Sequence, residues 1–163
     1  RFGHTAAAYG ALLYIFAGQS VDQAAVSVSC DTTSIQPRLK LYNDVYFLDT
    51  NTLYWSKIDL FPDKGIFVGN KEDNDAGEHL FPTLRHSHTS VIMNEKMVIF
   101  GGVNENGDVM NDLWELDLKI CIWKEIITCL APAAREMHTA CIELRCDDLH
   151  PSGCMYVMGG RGK

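Results

Sequence analysis

The chain has 163 residues, 47% of them hydrophobic, with six cysteines and a net charge of −7. The acidic excess argues against a nucleic-acid binder, because phosphate contact calls for clustered Lys and Arg. No apolar run reaches the ~18–20 residues of a transmembrane helix, no signal peptide is visible, and the cysteines follow no disulfide framework, so free thiols in a cytoplasmic protein are expected.

The first unit opens on Arg1-Phe2-Gly3-His4-Thr5 and runs into an apolar stretch, Leu13-Tyr14-Ile15-Phe16-Ala17-Gly18. A long, mostly small and polar stretch follows over 19–42, with Arg38 and Lys40 near its end. Asn43-Asp44-Val45-Tyr46-Phe47-Leu48-Asp49 then reads as a strand, and Trp55 stands six residues after Asp49. A second long stretch, 61–84, carries Asp63, Glu72, Asp73, Asp75 and Glu78 against Lys64 and Lys71, with Phe61, Phe67 and Phe81.

The second unit repeats this order. Arg85-His86-Ser87-His88-Thr89 leads through Met97-Val98-Ile99-Phe100 to Gly101-Gly102, then to Asn111-Asp112-Leu113-Trp114-Glu115-Leu116-Asp117 and to Trp123. The third unit, Arg135-Glu136-Met137-His138-Thr139, reaches Met155-Tyr156-Val157-Met158-Gly159-Gly160 before the chain ends at Lys163. Each apolar piece has strand length, is rich in β-branched and aromatic residues, and is bounded by Gly, Asn or Asp, which predicts four short strands per unit.

Spacing makes the repeat firm. His4 to Gly18 and His88 to Gly102 are both 14 positions, and Asp44 to Trp55 and Asp112 to Trp123 are both 11. The period falls from 84 between the first two units to 50 between the second and third, and the whole difference lies in the stretches 19–42 and 61–84. A repeat too small to bury its own apolar faces must stack on its neighbours. Three equivalent histidines, His4, His88 and His138, therefore imply a repeated fold contact rather than a ligand site. The glycines are expected to follow a strand, the Asn-Asp pairs to supply acceptors for tight turns, and the tryptophans to pack between units.

This pattern resembles the kelch repeat, with its Arg-x-x-His opening, glycine pair, Asn-Asp and Trp. Ala17-Gly18 departs from it, at a position that tolerates a small Cβ. The resemblance implies an all-β fold, a partial kelch-type β-propeller of four-stranded antiparallel blades. The blades divide as 1–60 with a long loop at 19–42, an acidic inter-blade loop at 61–84, a blade at 85–128, and the first half of a third at 129–163. Two and a half blades fall short of the ~4–8 that close a ring, so the chain is expected to be part of a larger protein, with exposed ends that favour self-association.

Both long loops are expected on one face, and long loops on a rigid scaffold carry recognition. Arg38, Phe67, Glu72, Asp73, Asp75 and Glu78 are the partner-binding candidates, the acidic ones clustered beside aromatic anchors. Cys141, Cys146, His150 and Cys154 are zinc-ligand types, but Cys141 sits in a predicted strand and the spacing lacks a C-x2-C knuckle. Asp73-Asn74-Asp75-Ala76-Gly77-Glu78 lacks the full calcium-loop pattern and reads as a solvated acidic loop. No cofactor is expected. No nucleophile elbow, phosphate loop or paired carboxylates appear. The resemblance implies a non-catalytic protein–protein interaction module. The alternatives are a regulatory kelch domain of a larger enzyme, such as a kelch-containing serine/threonine phosphatase, and a galactose-oxidase-like propeller, whose copper ligands find no residue-by-residue match.

Overall fold

A computed structural model describes residues 1–21, 38–60, 81–144 and 153–162. The first blade contains β1 (Thr5–Tyr9), β2 (Leu12–Val21), β3 (Leu39–Asp49) and β4 (Tyr54–Lys57), paired antiparallel in chain order. The second contains β5 (Arg85–His86), β6 (Thr89–Met93), β7 (Lys96–Asn104), β8 (Val109–Asp117) and β9 (Ile122–Glu125). In the third, β10 (Glu136–Glu143) pairs with β11 (Cys154–Arg161). The chain is all-β, with no helix among the described residues.

The stretch assigned to a loop at 19–42 is shorter than the sequence suggests. Gln19, Ser20 and Val21 pair with Leu41, Lys40 and Leu39, so the hairpin continues past the glycine. The polar side chains there hid the strand, because backbone pairing does not require apolar residues. The acidic 61–84 stretch also ends in packed structure: Pro82 is fully buried, and its carbonyl accepts from Asn43 Nδ2 at 3.3 Å. Arg85 and His86 form a short strand of their own against Asn104 and Val103.

The glycines do not follow their strands but sit inside them, and in the first two blades they mark bulges. Register shifts between Phe16 and Gly18 and again between Phe100 and Gly102. The extra residue bends the strand and sharpens its twist. At the second glycine of each pair two demands coincide. Gly102 has φ of 96°, and a Cβ there would stand 2.7 Å from His86 O and 2.8 Å from His88 Cβ. Its counterparts Gly18 and Gly160 press on His4 and His138 in the same way. The first position is less strict: Ala17 takes φ of 56° while fully buried.

The core lies between blades, because each sheet is too thin to bury a face alone. Tyr14, Phe16 and Val45 of the first blade meet Ile92, Met97, Ile99, Trp114, Leu116 and Trp123 of the second. Phe16 and Trp123 rings are 5.1 Å apart. Burying aromatic rings of this size contributes about 2–3 kcal/mol each. Met97 through Val103 are buried without a break, as a strand covered on both faces must be.

Neighbouring blades are also tied by peptide groups. Ser87 N donates to Gly3 O, and Met137 N donates to Ser87 O, both at 2.9 Å. These three residues occupy the same repeat position and share a left-handed backbone, with φ of 64°, 56° and 54° for Gly3, Ser87 and Met137. Positive φ is uncommon outside glycine; here the repeated rung imposes it.

Candidate interaction site

The opening arginines hold their own blades together. Arg85 Nη1 and Nη2 donate to both carboxylate oxygens of Asp112 at 2.9 and 2.7 Å, and Nη1 also donates to Gly101 O at 3.1 Å. Arg1 repeats the fork on Asp44 at 2.6 and 3.0 Å and reaches Ala17 O at 3.3 Å. Asp44 and Asp112 therefore do not serve turns. They lie inside β3 and β8, opposite the bulge, where a carboxylate meets the guanidinium. Asp112 Oδ2 also accepts from Trp114 Nε1 at 2.8 Å. Two parallel charge-assisted bonds fix geometry as well as adding energy.

The histidines span the seams. His88 Nε2 shares a 2.8 Å hydrogen bond with Thr5 Oγ1 of the blade before it, and His138 Nε2 does the same with Thr89 Oγ1. Each ring also stands edge-on to a phenylalanine of that blade, Phe16 at 5.2 Å and Phe100 at 5.4 Å. Burial pushes the His88 pKa well below 6.5, helped by the nearby Arg85 charge, and lowers that of His138. Both rings are neutral packing elements at neutral pH. Trp123 is 1% exposed at its seam, and its buried Nε1 has no partner. Trp55, the same repeat position in the first blade, is 53% exposed because no described residue covers that side.

The frame thus absorbs the Arg, His, Gly, Asp and Trp of the repeat. Two surfaces remain. At the end of the blades where β2 leads toward β3, Arg38 is exposed, Lys40 Nζ stands 5.4 Å from the Tyr42 ring, and Arg1 lies over the same ring at 4.1 Å. Ser20 Oγ and Tyr42 OH share a 2.8 Å hydrogen bond that steadies this aromatic platform. Phe67, Glu72, Asp73, Asp75 and Glu78 lie outside the described residues, as does the whole Asp73–Glu78 acidic run. In the second blade the corresponding connection is a tight turn, in which Asn104 Oδ1 accepts from Asn106 N and Asp108 N, each at 2.9 Å.

At the opposite end, Tyr9, Ile92, Met93, Asn94, Glu95 and Leu144 line an open hollow of about 420 Å³. Tyr9 OH donates to Glu95 at 3.3 Å, and Lys119 pairs with the same carboxylate, which raises the lysine pKa.

Of the zinc-type residues, Cys141 stands opposite Tyr156 and Cys154 opposite Glu143, so the two cysteines share a sheet face two positions apart. Cys146 and His150 lie outside the described residues. No cluster of three His, Cys, Asp or Glu able to hold a metal occurs among the described residues. Burial raises the Cys121 thiol pKa, with Asp117 and Asp59 adding to the effect, so it remains a protonated thiol and a poor nucleophile.

Sequence reasoning missed the Arg–Asp fork and the His–Thr bond. A signal for both was present. In each complete unit the Asp stands 11 residues before the Trp, and a Thr follows every one of the three histidines.

A family model described as the KLHDC2/KLHL20/DRC7 Kelch-repeats domain matches residues 1–163. The chain belongs to the kelch-repeat family. It is 30% identical over 167 residues to human Host cell factor 1, covering 98% of this chain and 7% of that protein. Kelch domain-containing protein 10 of Xenopus tropicalis is 34% identical over 80 residues, 49% of this chain and 17% of that protein. Human Kelch domain-containing protein 3 is 24% identical over 161 residues, 98% of this chain and 35% of that protein. This kelch chain therefore spans at most about a third of these relatives. A solved structure titled "Structure of YjhT" superposes with a TM-score of 0.56 at 21% identity, over 98% of this chain and 34% of that one, and shares the propeller fold.

Proposed function

We propose that the chain is a non-catalytic protein-binding module. It would recognise a partner with the blade end that carries the 22–38 and 61–80 segments. One observation carries the reading. The residues shared between repeats are consumed in bonds within and between blades, while the chain differs most between units at those two connections. A rigid frame presenting variable loops is suited to recognition. The exposed Arg38 and the cation-flanked Tyr42 supply a basic and aromatic element at that end. Host cell factor 1 and the Kelch domain-containing proteins are relatives rather than sources of a partner's identity. No described residue favours a regulatory domain tied to a phosphatase, or a galactose-oxidase-like chemistry. The unpaired thiols of Cys121, Cys129, Cys141 and Cys154 fit a cytoplasmic setting.

The test is a pull-down with the chain and with its Glu72→Lys/Asp73→Lys/Asp75→Lys variant. Proteins retained by the first and lost from the second support recognition by the acidic segment. Equal capture by both removes that segment from the site.

A further inference from the structure

The hollow at the far end of the blades is walled by three successive blades: by Tyr9 from the first, by Ile92 to Glu95 from the second and by Leu144 from the third. It therefore lies within the repeat array and not at either end of it. None of its residues belongs to the Arg, His, Gly, Asp and Trp set that the repeat consumes. Its open volume of about 420 Å³ is of the size that holds small ligands or a single long side chain. Tyr9 and Leu144 are exposed beside the buried Ile92.

One carboxylate stands among these apolar walls. Glu95 shares with Asn94 the two-residue turn between Met93 and Lys96, and both take positive φ, 49° for Asn94 and 62° for Glu95. Glycine is the easier residue at such a position. The glutamate is held there by its own main chain, whose carbonyl accepts from Leu118 N at 3.1 Å. Its side chain reaches across the blade boundary, where Tyr9 OH donates to Oε1 at 3.3 Å.

The chain itself shows what this carboxylate takes. Lys119 Nζ pairs with Glu95 Oε2, and the two side chains are 68% and 42% exposed. An ion pair so open to water is weak and exchangeable. An incoming ammonium would only repeat the bond that Lys119 already makes. A guanidinium would add to it, because its planar fork meets both carboxylate oxygens and its flat face stacks on an aromatic ring. The aliphatic stem of an arginine also covers apolar surface.

We propose that this hollow takes an arginine side chain from an extended segment of a partner protein, with the guanidinium between Glu95 and the Tyr9 ring and the stem on Ile92, Met93 and Leu144. The arginine displaces Lys119 from the carboxylate. This contact is independent of the recognition face proposed above, which lies at the other end of the blades.

The probe is the blocked tripeptide acetyl-Gly-Arg-Gly-amide, titrated into the isotope-labelled 163-residue chain and followed by backbone amide shifts. Its control carries citrulline, a neutral isostere of arginine. The arginine peptide should bind saturably, with shifts centred on Asn94, Glu95 and Leu144. It should bind about fivefold more tightly than the citrulline peptide, the ceiling for an ion pair near the surface. Glu95→Gln should remove that preference. Lys119→Ala should strengthen arginine binding by freeing the carboxylate, a gain that no loss of structure would produce. The spectra of the free variants check that both remain folded. Equal binding of the two peptides overturns the proposal and leaves an apolar hollow without choice of charge. Saturable shifts elsewhere, no saturable binding, or weaker binding by a folded Lys119→Ala chain overturn it too. The Glu72→Lys/Asp73→Lys/Asp75→Lys chain should bind the peptide as the parent chain does, so failure of this site and failure of the recognition face read separately.

Discussion

The seam between the first two blades and the outer side of the third are written in the same motif, yet the residues fare differently. Arg85 is fully buried in its fork, and β7 is covered along seven consecutive residues. Arg135 is only half-buried, and most of β11 is exposed. The same holds for tryptophan, 1% exposed at Trp123 and 53% at Trp55. A repeat residue is thus a half-contact. Its energetic weight comes from the neighbouring blade or strand and not from its own identity.

Substitution at paired positions tests that statement most severely. Trp123→Ala empties a filled seam and should cost about 3–5 kcal/mol, whereas Trp55→Ala should cost about 1 kcal/mol or less. Urea titration of the two variants measures the difference, and equal losses would break the comparison. Asp112→Asn comes next. It strips the carboxylate from a fully buried guanidinium and should cost about 3 kcal/mol. Asp44→Asn acts on Arg1, whose side chain is 24% exposed, and should cost about 1 kcal/mol or less. If the two aspartates proved equivalent, burial would not be what separates the blades.

The strands themselves were legible from the sequence. Runs such as Thr89–Met93 and the constant Asp-to-Trp spacing needed only local pattern and repetition. The fork and the seam bond were harder to read because their partners are distant. Arg1 and Asp44 are 43 residues apart, and Thr5 and His88 are 83 apart. Asn-Asp also has a strong local meaning as a turn former, and this masked a mid-strand carboxylate waiting for a cation. The polar residues of the hairpin extension, Gln19 and Ser20, misled for a related reason. Composition marks where side chains go, while backbone pairing sets where a strand ends.

Acidity gives a gentler test of the same contrast. The buried His88 has a folded pKa below its ordinary 6.5, so the unfolded chain takes up the proton first. The stability that this neutral ring contributes is complete above pH 6.5 and drains away as the pH falls toward the depressed folded value. Unfolding midpoints should therefore drop on the acid side of 6.5. In His88→Gln that part of the slope should flatten. A slope unchanged by the substitution would assign the acid sensitivity to the carboxylates instead.

The peptide-to-peptide link through Gly3, Ser87 and Met137 has an evolutionary consequence. Since only main-chain atoms make the join, selection can exchange hydrogen, hydroxymethyl and thioether groups there while the architecture persists. Such a position lets one ancestral unit, duplicated, diversify the side chains at its joins without unlearning how to assemble.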